Sequence, residues 1–225
     1  MKVLSWEESF LESKKEKATY PPLEWKKQVL KTKHHKEIVA SSKAHAATLT
    51  DEHHKAVNNY ISDSSSTNYE LRKGTEHLSP KDKRAHDKEV SLLDHVTKHE
   101  IPNDTVVYRG IHPALYNKPA GVVFHDKGYT GTSMSKKVAE SFSSGSVGAT
   151  RHVARIFLKK GDKAAYLPVS HGKGANPYYD DEKELLLHRG THFKIIGHDS
   201  TGDTQYVDME THHPEGKKIK AVKKD

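Results

Sequence analysis

The chain of 225 residues contains no cysteine, which excludes disulfides, thiolate metal sites and a cysteine nucleophile. No apolar run approaches the roughly 20 residues of a membrane-spanning helix. The opening Met1-Lys2-Val3-Leu4-Ser5-Trp6 leads into charge rather than a signal core. These absences predict no membrane partner and a cytoplasmic location, in the producing cell or in a host cell reached by a non-secretory route. Apolar residues are scarce as well: 33% of the chain is hydrophobic against 30% charged, so a packed core cannot occupy all of it. No Rossmann or P-loop glycine pattern occurs, so a dinucleotide would have to be held in another way. Eighteen histidines are present, and the adjacent pairs His34-His35, His53-His54 and His212-His213 lie in polar segments. None has the spacing of a metal-ligand motif, so no metal is expected.

What the chain does have is positive charge and a change of period half-way along. The formal net charge of +7 suits a nucleic acid, an acidic protein or a polyphosphate ligand as partner. Part of it lies at Lys217, Lys218, Lys220, Lys223 and Lys224, which form a solvated tail or a nucleic-acid arm. We therefore expect a basic, partly helical extension over residues 1–44, a catalytic domain over 45–212 and a basic tail over 213–225. The extension is interrupted by Pro21-Pro22. Trp6, Phe10 and Leu11 could form one short amphipathic helix, and Trp25, Val29 and Leu30 another.

Within the domain, Thr50-Asp51-Glu52-His53 reads as a helix start, with Ala56, Val57 and Tyr60 facing inward. The polar run Ser62 to Thr67 reads as its break. Ser79-Pro80 opens a second helix, with Ser as N-cap, Pro at the first helical position and Val90, Leu93 and Val96 at helical spacing. From Thr105 the period becomes that of strands, with Val107, Arg109 and Ile111 on one face. A short helix is expected from Ser135 to Ser141, and strands over Val153–Leu158, Ala164–Val169, Glu184–Leu187, Phe193–Ile196 and Gln205–Met209. Helices first and strands after argue an α+β domain.

Glu182-Lys183-Glu184 opens the apolar run Leu185-Leu186-Leu187. On a strand, residues two apart share a face, so the two carboxylates would point the same way. Such a pair suits chemistry in which positive charge develops on a sugar carbon, or is a solvated strand edge. Two upstream segments add to it: Val107-Tyr108-Arg109-Gly110 and Gly128-Tyr129-Thr130-Gly131-Thr132-Ser133. Alone, Arg109 could be a surface arginine paired with a carboxylate, and Thr130 to Ser135 could simply end a strand and cap a helix.

These three segments, in this order, resemble the R-S-E class of mono-ADP-ribosyltransferases, which includes arginine-specific toxins and bacteriophage enzymes. The likeness runs from about Leu49 to Glu210 and is strongest over the stretch from Arg151–Leu158 to Glu184–Thr191. It implies N-terminal helices followed by a two-sheet β core, with NAD as co-substrate. By the resemblance, Arg109 would clamp the pyrophosphate of NAD through charge-assisted hydrogen bonds, and the backbone at Gly110 would hold the nicotinamide amide. Gly131 stands where the family's first motif serine braces the catalytic glutamate, leaving Thr132 or Ser133 to supply a hydroxyl, or a water to fill the gap. Glu184 would be the catalytic glutamate, stabilising the transition state as nicotinamide leaves. Glu182 would orient and help deprotonate an arginine acceptor, and Tyr179 would recognise the target.

Further cofactor contacts are implied at Phe142, which could stack on nicotinamide or belong to a helix core, and at Arg151 beside phosphate. Tyr60 is an adenine or phosphate contact, or an apolar-face residue. Arg72 is a further candidate. The function so implied is transfer of ADP-ribose from NAD to arginine side chains of a target protein. The partner so implied is a protein with a reactive arginine, which could itself be nucleic-acid associated, met by a monomeric phage or bacterial effector. An NAD glycohydrolase on the same fold, or a basic nucleic-acid-binding module with a degenerate site, are the alternatives.

Overall fold

The fold is that of a computed structural model, which describes residues 23–32, 34–143, 150–171 and 181–213. The expected helix around Trp6, Phe10 and Leu11, the recognition residue Tyr179 and the lysines from Lys217 onward lie outside the described residues.

Five helices come first: α1 (Leu23–Thr32), α2 (His35–Ala46), α3 (Asp51–Ser62), α4 (Ser64–Lys73) and α5 (Pro80–Thr97). Their ends follow capping chemistry. Ser79 accepts a hydrogen bond from the Asp82 N–H at 3.2 Å, and Pro80 takes the first helical position of α5. At α3, Thr50 is the N-cap, and its N–H donates to His53 Nδ1 at 3.2 Å. The run from Ser62 to Thr67 does not break the helical region as expected; only Asp63 leaves the helix. Its carboxylate accepts from the Ser66 N–H at 3.1 Å, so the same residue that ends α3 caps α4. The expected boundary at residue 44 falls inside α2, whose Ile38 is buried in the main core. None of the described helices is long and apolar enough to cross a membrane.

The second half contains β1 (Thr105–Gly110), α6 (Pro113–Tyr116), β2 (Val123–His125), β3 (Thr130–Ser133), α7 (Lys136–Phe142) and β4 (Arg151–Leu158). It continues with β5 (Ala164–Tyr166), α8 (Leu167–Ser170), β6 (Glu184–Leu187), β7 (His192–Thr201) and β8 (Thr204–Thr211). The strand expected over Ala164–Val169 stops at Tyr166. Pro168 cannot donate to a strand ladder but fits the start of a helix, and α8 begins there. The short β2 carried too few residues to be read from its pattern.

The strands follow the order β2-β7-β8-β4-β1-β3-β6-β5, with β4 and β8 parallel and the other neighbours antiparallel. The series has a seam. β1 pairs with β4 from Thr105↔Leu158 to Gly110↔Val153, but meets β3 at Tyr108↔Ser133 alone. The β core is thus two parts, β2-β7-β8-β4-β1 and β3-β6-β5, joined narrowly.

Packing fixes which residues face the seam. On β6, Leu185 and Leu187 enter the main core with Val107, Ile156 and Met209, while Leu186 points the other way, toward Val57, Tyr60, Leu93 and Tyr129. A strand buried on both faces explains the unbroken leucine run, and each fully buried leucine contributes about 1.5–3 kcal/mol. A third cluster joins Val29 of α1 to Val106, Tyr108, Phe157 and Tyr206. Lys26 of α1 adds an ion pair to buried Asp208 at 2.6 Å.

Candidate active site

The seam brings together the end of β1, the end of β3 and the start of β6. The Arg109 guanidinium donates through Nη1 to the Gly131 carbonyl, across the seam. Two hydroxyls of β3 hold the chain entering β6: Thr132 Oγ1 donates to the Leu185 carbonyl and Ser133 Oγ to the Glu182 carbonyl, both at 2.6 Å. The Met134 N–H adds a bond to the Lys183 carbonyl at 3.1 Å. Thr132 and Ser133 therefore brace the backbone around Glu184 and not its carboxylate, which corrects the bracing role expected of either hydroxyl.

Strand alternation does not align the two glutamates. β6 begins at Glu184, and Lys183 takes a left-handed backbone with φ of 49°. Glu182 lies in the tight turn before it. The convergence of Glu182 and Glu184 comes from this turn, pinned by Ser133, rather than from a shared strand face. Both line one cavity of about 330 Å³, with Arg109, Gly131, Tyr60 and Phe142.

Helix α7 closes one side of the cavity. A Cβ on Gly110 would lie 2.9 Å from the Ser143 nitrogen and 3.0 Å from the Ala139 carbonyl oxygen, so only glycine lets the end of α7 seat on β1. That seat places Phe142 at the rim with 68% of its surface exposed. Of its two possible roles, helix core is thus ruled out, since Ala139 is the buried residue of α7. On the opposite side, the Tyr60 hydroxyl accepts from Asn68 Nδ2 at 2.9 Å, and Asn68 Oδ1 accepts from the Tyr129 N–H at 2.8 Å. Tyr60 is both a core residue of α3 and a cavity wall.

A family model described as ADP-ribosyltransferase exoenzyme matches residues 24–222. The chain belongs to the ADP-ribosyltransferase exoenzyme family. Solved structures share its fold. Plx2a, an ADP-ribosyltransferase toxin from Paenibacillus larvae, is 22% identical with a TM-score of 0.57, covering 84% of this chain and 96% of its own. The ADP-ribosyltransferase Vis from Vibrio splendidus, solved in complex with agmatine, is 18% identical with a TM-score of 0.60, covering 88% and 89%. The ADP-ribosylating toxin BECa of a binary enterotoxin of C. perfringens, solved with NADH, is 18% identical with a TM-score of 0.59, covering 82% and 48%. No match was found among curated proteins.

ADP-ribosyltransferases use NAD as substrate, and the electrostatics of this member's cavity can be set beside that. Burial, reinforced by the charge of Glu182 and opposed by Arg109, pushes the Glu184 carboxyl up to about 7. Burial raises Glu182 too. Burial pulls the Arg109 guanidinium down, while the Asp126 carboxylate works against that fall. Asp126 is fully buried and accepts two bonds from Arg72, at 2.8 and 2.7 Å, one from the Gly128 N–H at 3.0 Å and one from Thr130 Oγ1 at 3.1 Å. Arg72 is thereby committed to shaping the turn into β3 and does not line the cavity.

Arg151 is exposed at the start of β4, two residues before the Val153 that pairs with Gly110, and is not among the residues that line the cavity. Ile61 and Ser64, which carry no motif of their own, also line the cavity, with Asn68 of α4 beside them. The α3–α4 junction that presents them reads as a polar break, and the Asp63 cap was the signal that could have found it. Asp126 carries no sequence signal, because a lone acidic residue before a glycine is common.

Proposed function

We propose that the protein transfers ADP-ribose from NAD to the guanidinium of an arginine on a target protein, releasing nicotinamide. The observation that carries this reading is the convergence of Glu182 and Glu184 on one cavity opposite Arg109. The cavity, of about 330 Å³ with an exposed aromatic at its rim, suits the nicotinamide and ribose of NAD. NAD supplies a glycosidic C–N bond whose cleavage leaves positive charge on the ribose carbon.

Arg109, held on β1 and by the Gly131 carbonyl, would pair with phosphate oxygen of NAD. Glu184, once ionised, sets a carboxylate against the charge that develops on the ribose, stabilising it more in the transition state than in the ground state. Glu182 sits where the turn opens and keeps partial exposure, so it can reach an incoming acceptor. Its carboxylate would align a guanidinium and take its proton as the nitrogen attacks. That the relative Vis was solved with agmatine, itself a guanidine, supports an acceptor of this class.

The test is Glu182→Gln. Transfer of label from NAD to agmatine or to protein arginine should fall at least a hundredfold, while nicotinamide release into water persists. Normal arginine labelling by this variant would exclude the acceptor role of Glu182. Nicotinamide release by the wild type with no labelled acceptor would point instead to an NAD glycohydrolase.

A further inference from the structure

Position 131 carries glycine inside β3, and the geometry shows what fills the space beside it. A Cβ built on Gly131 would lie 2.6 Å from Glu184 Oε1, 3.7 Å from its Cδ and 3.5 Å from Arg109 Nη1. Non-bonded carbon is at its optimal separation at about 3.5–4.0 Å, so Glu184 in this place is compatible only with a residue lacking a side chain at 131. The glycine is not there for its backbone. Gly131 is absent from the glycines with positive φ and pairs in register with Leu186 inside β3. Alanine or serine could take the same backbone without strain.

The neighbouring hydroxyls are committed elsewhere, Thr132 to the Leu185 carbonyl and Ser133 to the Glu182 carbonyl. Among the described residues no hydrogen-bond donor reaches the Glu184 carboxylate. Through its carbonyl, Gly131 also accepts from Arg109. One residue without a side chain thus touches both Arg109 and Glu184.

We propose that Gly131 is a positioning residue: its bare Cα lets the Glu184 carboxylate lie against β3 with no donor from the described residues bound to it, leaving the carboxylate to hydroxyl groups of a ligand. The identity of that ligand as NAD rests on the proposed function; the packing of Glu184 on Gly131 does not. The contact involves the far end of a flexible side chain, so a substitution displaces Glu184 before it displaces the strand. Alanine displaces the carboxylate and offers it nothing. Serine displaces it and also offers a hydroxyl, and a hydrogen bond to the charged form lowers the carboxyl's pKa.

The two variants separate these effects. The Glu184 carboxyl carbon would be followed by NMR titration of protein with ¹³C-labelled glutamate, its resonance assigned by loss in Glu184→Gln. Nicotinamide release across the same pH range would be measured in parallel, and thermal melts would check folding. The wild-type carboxyl is expected to titrate near 7. In Gly131→Ser both this titration and the acid limb of activity should move at least about one unit lower. In Gly131→Ala the resonance should shift without that fall, and NAD cleavage should drop about tenfold or more at all pH values. If both variants keep the wild-type resonance and titration, Glu184 does not pack on Gly131 and the proposal is overturned. If no variant and no wild type releases nicotinamide, the proposed function fails, while the titration still decides the role of Gly131.

Discussion

Replacing Glu184 by glutamine should destroy activity and, above neutral pH, stabilise the fold. Burial pushes the Glu184 carboxyl from its ordinary 4.5 up to about 7, with the Glu182 charge adding to the rise. The sign follows from which state holds the proton. Below pH 4.5 the group is protonated in both folded and unfolded chain, and its contribution to stability is full. As the pH rises toward about 7 the unfolded chain ionises while the folded one does not, and stability is lost. At about 1.4 kcal/mol per unit, the displacement amounts to about 3.5 kcal/mol, which screening by water in the cavity reduces to at most about 3 kcal/mol.

Glutamine keeps the shape and removes the charge. Glu184→Gln should therefore match the wild type at pH 4.5 and exceed it at pH 8 by up to about 3 kcal/mol. For a domain of this size that is a rise in melting temperature on the order of 5–10 °C. Activity should fall about a hundred- to a thousandfold, since a preorganised electrostatic contact of this kind is worth about 2.7–4 kcal/mol in the transition state. Thermal or urea denaturation of both proteins at pH 4.5 and 8, beside nicotinamide release, checks both halves. A variant that is less stable than the wild type at pH 8 would refute the burial argument, because the carboxylate would then be a net stabilising group.

Arg109→Ala should weaken NAD binding about ten- to a hundredfold, the range for a lost charge-assisted hydrogen bond, as read by calorimetry on the Glu184→Gln background; unchanged affinity would remove Arg109 from the phosphate site. Stability should also fall on acidification. His99 stacks on His45 at 4.8 Å and His53 packs on His95 at 4.6 Å, and burial first, then the neighbouring imidazoles, hold His53 and His99 below 6.5. Their contribution is full above pH 6.5 and is lost as the pH falls, because the unfolded chain takes up the protons. His213, raised by Asp162, works in the opposite sense. Melting curves from pH 8 to 5 in the Glu184→Gln background, which removes the opposing trend of Glu184, should show the decline; a flat profile would contradict it.

What was legible in the sequence was written in local chemistry. Ser79-Pro80 with its following apolar spacing gave α5 to the residue at its start, and the leucine run gave β6 with its first residue. Arg109, Gly131-Thr132-Ser133 and Glu184 could be placed together through the order of their segments, which resembles that of the family, and not from any one segment alone. What could not be read depends on contacts between distant segments. That Thr132 and Ser133 bind main-chain carbonyls, that Asp126 holds Arg72, and that Phe142 faces solvent all follow from how α7, β3 and the turn before β6 meet. Lys183 shows the limit at shortest range: a left-handed residue with a side chain leaves no pattern, yet it decides where Glu182 lies.

The most direct test of the account is incubation with adenylate-labelled NAD and a bacterial lysate, with and without nuclease, beside the Glu184→Gln variant. The account predicts a protein band whose label requires Glu184, survives nuclease and is released by hydroxylamine, as an arginine linkage is. Label that persists undiminished in Glu184→Gln, or label that is lost to nuclease, would contradict it.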